Sequence, residues 1–295
     1  MLHKAQSKHS PLASVLSASQ RGRKALLDSN FNIRPMRSVL GAKVPLITVW
    51  FWVLKLSTTA LGEAASDYLL KQFGNAGVAS VTAGFVLALS LQLWLRRYNP
   101  FVYWTAVAMV AVFGTMAADL VHGDLGVPLW ASTLCCALAV AVTFAVWRRT
   151  EGTLSIHSVT TRRREMFYWL AVSFTFALGT AAGDLTAGQL GLGFSGSIVL
   201  FAVVIAVPAL GWSQFTMNGV LAFWWAYIVT RPLGASIADW LSKPPRADAL
   251  GLGDGPVAAV LLVVTVALVT GVALRGAGAP AQSSARTAEA EMART

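Results

Sequence analysis

Residues 168–184 read YWLAVSFTFALGTAAGD. An aromatic and a tryptophan open the stretch, Gly179 follows Trp169 by ten positions, and Asp184 closes it five positions later. The same frame occurs as Phe51, Trp52, Gly62, Asp67, as Tyr103, Trp104, Gly114, Asp119, and as Phe223, Trp224, Gly234, Asp239, with no change in spacing. A repeat at fixed spacing decides the architecture before any single residue does. Each copy lies in an apolar stretch longer than the roughly 20 residues that a helix needs to cross hydrocarbon. Each therefore places a carboxylate inside a membrane helix, where an ionisable group is a functional candidate.

Working outward, eight segments are long and apolar enough to span: 45–70, 76–95, 101–121, 127–147, 166–187, 194–212, 218–240 and 256–274. Hydrophobic residues make up 56% of the chain and charged residues 12%, against roughly 25% charged in soluble domains. The reading is an all-α integral membrane protein of eight transmembrane helices, built as four tandem two-helix repeats. Of the 23 Lys and Arg, eighteen fall in the two tails and the even-to-odd connections, and three in the other loops. The positive-inside rule then predicts N-in and C-in. The formal net charge of +10 is thus assigned to orientation and to anionic lipid at the cytoplasmic loops, not to nucleic acid. The adjacent Cys135 and Cys136 suggest neither a disulfide framework nor a zinc site.

The domain plan is a disordered basic cytoplasmic tail over 1–43, repeat 1 over 44–98, repeat 2 over 99–164 with a cytoplasmic loop at 148–165, repeat 3 over 165–217, repeat 4 over 218–274, and a disordered cytoplasmic tail over 275–295. A second tryptophan near the cytoplasmic end of three even helices, Trp94, Trp147 and Trp212, reads as an interfacial anchor.

Helical geometry puts Trp52, Leu56, Thr59, Glu63 and Asp67 on one stripe, and the equivalent residues of the other copies likewise. The stripe should face the protein interior, since a charge facing lipid costs several kcal/mol. Gly62, Gly114, Gly179 and Gly234 lie near mid-membrane and are expected to let the four odd helices pack closely. Asp67, Asp119, Asp184 and Asp239 are expected at one depth, as a ring about a pseudo-symmetry axis. Like carboxylates that close cannot all stay ionised without protons, a cation or basic partners. Oxygen ligands alone suit hard divalent cations such as Mg²⁺, Mn²⁺ or Ca²⁺.

The copies are unequal. The first adds Glu63 and Lys55; the fourth adds Arg231, followed by Pro232. Glu63 and Arg231 are close in depth, so a pair joining the first and last repeats is expected. The four histidines lie outside the spans, no phosphate-binding Gly-Lys loop occurs, and no nucleophile-base pattern stands out, so no enzyme activity is expected.

The pattern around Trp52, Trp104, Trp169 and Trp224 resembles uncharacterised bacterial membrane-anchored proteins with four tandem copies of a repeat of unknown function, each with two transmembrane segments and a characteristic Trp. The resemblance covers about residues 45–274 and implies a multi-pass protein of the bacterial inner membrane. It implies no activity. From the residues, the expectation is a transporter of a divalent cation, or one exchanging it for protons. The Asp ring and Glu63 would bind the ion, Arg231 and Lys55 would be charge partners, and no cofactor beyond a possible bound divalent cation would be needed. The alternatives are a non-transporting membrane scaffold or stress-related protein, and an organic-anion transporter using Arg231. A monomer and a homo-oligomer are both compatible with the sequence.

Overall fold

The computed structural model describes residues 43–214, 217–245 and 248–292; the N-terminal tail, up to residue 42, lies outside them. Among the described residues the chain forms seven α-helices and no strand. They are α1 (Val49–Trp94), α2 (Pro100–Gly123), α3 (Leu129–Glu151), α4 (Arg162–Asp184), α5 (Gly193–Gln214), α6 (Gly219–Ser242) and α7 (Asp254–Met292). Six of them are long and apolar enough to cross a membrane, and α5 offers a shorter apolar stretch, Gly193–Pro208.

The count differs from the eight separate helices expected because the first two merge. The break expected between the spans 45–70 and 76–95 is a single residue, Gly74, with φ 50° and ψ −127°. The chain reverses there. A Cβ built on Gly77 would lie 3.1 Å from the carbonyl carbon of Leu69, whereas residues eight apart in a straight helix are separated by about 12 Å. The limbs 49–73 and 75–94 thus form a hairpin, and Val81 of the second limb packs with Val112 and Met116 of α2. Nothing lies near a Cβ built on Gly74, so its constraint is purely conformational. Gly74→Ala is expected to cost about 1–3 kcal/mol through that backbone alone, read as a lower unfolding midpoint in detergent.

Helices α2, α4 and α6 start on side-chain caps. Asn99 accepts from the backbone N–H groups of Phe101 and Val102, Thr161 from that of Arg164, and Asn218 from that of Val220. Such caps satisfy donors that a helix start leaves free. In α5, Pro208 cannot donate to the Val204 carbonyl; the Trp225 indole N–H does so instead, at 3.2 Å.

The first limb of α1 with α2, α4 and α6 forms an inner ring of four helices. The other helices lie outside it, and each leans on the inner helix of the following repeat: α3 on α4, α5 on α6, and α7 back on α1. One expectation is corrected here. Trp147 is no interfacial anchor: it is fully buried, stacked on Phe167 and edge-on to Trp224. Trp94 is exposed, and the side chain of Trp212 lies outside the described ones. The backbone of α7 is helical to Met292, within the segment 275–295.

Candidate functional site on the repeat axis

The inner ring closes through one contact used four times. A Cβ on Gly62 would meet Ala111 of α2, one on Gly114 would meet Phe176 of α4, one on Gly179 would meet Arg231 of α6, and one on Gly234 would meet Thr59 of α1. In each case the residue met lies three before the glycine of the next repeat. The four glycines are therefore the helix contacts, arranged head to tail around an axis.

Stepping along these helices by four residues gives layers across the axis. The first is Phe51, Tyr103, Tyr168 and Phe223, all buried, with the Tyr103 and Tyr168 hydroxyls 2.5 Å apart. The next is Lys55, Val107, Val172 and Tyr227, none of them with any measurable exposure. Then come Thr59, Ala111, Phe176 and Arg231; then Glu63, Thr115, Thr180 and Ala235; and last Asp67, Asp119, Asp184 and Asp239. The inward stripe thus differs from the expected one in its first half. Leu56, Ala108, Ser173 and Ile228 are only half-buried, and the residue before each inner position takes the axis. Steps of four follow the i±4n ridge along which closely crossing helices interlock.

The repeat tryptophans sit beside the first layer rather than in it. Trp104, Trp169 and Trp224 are buried and Trp52 half-buried; the Trp224 indole N–H donates to the Leu154 carbonyl at 2.9 Å.

Arg231 is fully buried, and its guanidinium reaches the fourth layer. Nη1 donates to the Thr59 carbonyl at 3.1 Å, and Nη2 donates to Glu63 Oε2 at 2.9 Å and Thr180 Oγ1 at 2.7 Å, with Thr115 Oγ1 beside it. Thr115 also donates to Glu63 Oε2 at 3.2 Å. One arginine thus ties together the equivalent residues of the other three copies. Arginine suits this because its planar fork presents several fixed donors. Lys55 lies one layer below, its Nζ 4.0 Å from the Phe176 ring centre and 4.2 Å from that of Tyr227. Its ammonium has no hydrogen-bond acceptor and rests on ring faces, which attract a cation. Arg231 lies over the same Phe176 ring at 5.3 Å.

The four aspartates do not have equivalent surroundings. One carboxylate oxygen each of Glu63, Asp184 and Asp239 lie within 4.8 Å of one another, a spacing at which a metal ion could be shared. Asp119 lies in the field of Glu63 and Asp184, and its buried Oδ2 has no hydrogen-bond partner. Asp67 is drawn to the outer edge, against Lys243 and 3.6 Å from Lys71. Lys243 is also 3.5 Å from Asp239 and 3.7 Å from Asp254, and Lys71 is 2.5 Å from Asp254. Directly after Asp184 the helix widens into a π turn, Leu185–Gln189, a distortion common at functional sites.

Sequence reasoning passed over Lys71, Lys243, Asp254, Thr115, Thr180 and Phe176 as site residues. A signal for two of them was available: Lys71 and Lys243 each lie four residues after a repeat aspartate, where the second and third copies have Gly123 and Gly188.

A family described as Repeat of Unknown Function (DUF347) matches residues 102–153, 167–216 and 222–275, together just over half of the chain. The chain belongs to this family. The matched DUF347 segments hold α2 with α3, α4 with α5, and α6 with most of the apolar part of α7. Each is therefore one inner helix and one outer helix. The first limb of α1 lies outside them but carries the same Trp, Gly and Asp frame and makes the same glycine contact. No match was found among curated proteins or solved structures.

Proposed function

We propose that this DUF347 protein is a multi-pass transporter of a divalent metal cation, or one that exchanges such a cation for protons. The observation that carries the reading is charge. Six carboxylates, Glu63, Asp67, Asp119, Asp184, Asp239 and Asp254, share one end of the axis with three cations, Arg231, Lys71 and Lys243. Buried charge needs compensation, and protons or a divalent cation can supply what the lysines and arginine do not. Glu63, Asp184 and Asp239 are the ligands assigned to the ion, with Asp119 as the adjacent spare carboxylate. The donors are all oxygen, which suits Mg²⁺, Mn²⁺ or Ca²⁺. The reading assigns no catalytic residue and requires no organic cofactor.

Each limb of α1 is read as one crossing and α5 as another, giving eight passes and four repeats with both termini in the cytoplasm. Arg96, Arg97, Arg148, Arg149 and Arg162 to Arg164 then lie on the cytoplasmic side, toward its anionic lipid, and a bacterial inner membrane fits the family. Organic-anion transport through Arg231 has less support, because both terminal nitrogens of that residue are engaged and its side chain is fully buried.

The test is flux of a panel of divalent cations into proteoliposomes that hold a pH dye. Wild type is expected to carry at least one ion, and Asp119→Asn with Asp184→Asn to fall to the rate of protein-free liposomes. A folded wild type that moves none of the ions would favour a membrane scaffold.

A further inference from the structure

Asp239 belongs to two groups at once. Inward, it completes the carboxylate trio with Glu63 and Asp184. Outward, it lies 3.5 Å from the Lys243 ammonium, which also contacts Asp67 of α1 and lies 3.7 Å from Asp254 of α7. Lys243 therefore gathers carboxylates from three helices. Its side chain is 21% exposed and those of its three partners 8–14%. The ammonium thus stands between the acidic end of the axis and the outer surface.

The backbone holds it there. The Lys243 N–H donates to the Asp239 carbonyl at 2.8 Å, ending α6. The chain beyond folds back on that end: Leu250, Leu252 and Gly253 donate to the carbonyls of Trp240, Leu241 and Ser242 at 2.7–3.0 Å. The backbone of Lys243 is anchored, and its ammonium sits at the end of a flexible four-carbon stem. Lys71, more exposed at 57%, holds Asp254 from the other side. When Lys243 leaves Asp239, it still has Asp67 and Asp254 within its reach.

We propose that Lys243 is a tethered competitor for the cation site and sets its affinity and access from the outer side. Resting on the transport reading above, this assigns the ammonium the place that an arriving cation contests: the cation takes Asp239 into the trio, and Lys243 passes to Asp67 and Asp254. An opposite charge within about 4–6 Å of a carboxylate changes its affinity for a proton by roughly ten- to a thousandfold. Withdrawing Lys243 should change affinity for a metal ion in the same sense.

The test is equilibrium Mn²⁺ binding, followed by electron paramagnetic resonance, to the full chain in nanodiscs. Lys243→Gln is expected to bind Mn²⁺ roughly tenfold or more tighter than wild type, and Lys243→Arg to bind like wild type. Since Lys243→Gln leaves Asp67 with less compensation, Asp67→Asn with Lys243→Gln serves as the second variant, and the same tightening is expected. Asp184→Asn should abolish binding in every background. Unchanged affinity in both Lys243→Gln variants, with Asp184→Asn still abolishing binding, overturns the role of Lys243 and leaves the trio standing. Absence of Mn²⁺ binding from every variant overturns both.

Discussion

Arg231→Met is expected to be among the most damaging single substitutions in the chain, costing about 3–5 kcal/mol. The loss is not mainly that of attraction. Removing the guanidinium strands Glu63, which is 3% exposed at the centre of four helices and keeps only the Thr115 hydroxyl as a donor. Thr180 is less affected, because its hydroxyl also donates to the Phe176 carbonyl within its own helix, and Thr115 has either Glu63 or the Ala111 carbonyl as acceptor for its one proton. The deficit is therefore concentrated on one carboxylate, and a second change should relieve it. Glu63→Gln combined with Arg231→Met is expected to regain more than half of the lost stability, since replacing both partners of a buried pair is far milder than replacing one. Unfolding free energies of the two variants in detergent check this. A double variant no more stable than the single would remove the pair from the account of what holds the ring together.

Gly234→Val is the other large effect. A Cβ at that position would lie 2.8 Å from Thr59 Cβ and 3.2 Å from the backbone nitrogen of Ala60. Neither atom can move aside by a side-chain rotation, because one is backbone and the other is fixed to it. The helices must separate, and the contact they lose is the one that joins the last repeat to the first. The expected cost is about 3 kcal/mol, in the upper part of the range for overpacking. Gly84→Ala is the matched control. Its new Cβ would meet Met109 Cε at 2.8 Å and Sδ at 3.7 Å, the far end of a flexible side chain that can swing away. Size-exclusion profiles on heating should show Gly234→Val losing its monodisperse peak well before Gly84→Ala, which should follow wild type.

Much of this was legible in the sequence because the repeat carries its own geometry. Ten residues from Trp to Gly and five more to Asp place three chemistries at three depths on one helix, and duplication places them on four. That sufficed to expect the helix contacts at the glycines and the meeting of Glu63 with Arg231. Periodicity could not choose between neighbouring stripes. A step of three followed by four and a step of four differ by one position, and the helix crossing decides between them. Hence Leu56 was expected on the axis where Lys55 lies. The partners of the aspartates were hidden for another reason. Lys71 and Lys243 lie past the apolar stretches, in segments counted only for topology, and their reach back to Asp67 and Asp239 depends on a flexible side chain. Asp254 comes from the start of a helix 187 positions after Asp67, and no local pattern links them. Trp147 looked like an anchor because it ends an apolar run, yet the outer helix leans on the next repeat and buries it.

The head-to-tail glycine contacts would close just as well if four separate two-helix chains came together, since a heterologous interface repeated by a quarter turn makes a ring. Identical chains, however, would bring four arginines to the axis, or four glutamates, or none. Joining the copies in one polypeptide removes that restriction. It lets a single guanidinium reach the layer of a single Glu63 and two threonines, and a single Lys55 occupy a layer otherwise made of Val107, Val172 and Tyr227. Covalent linkage thus supplies what symmetry forbids: a centre that differs in every direction, on a scaffold that is nearly the same in all of them.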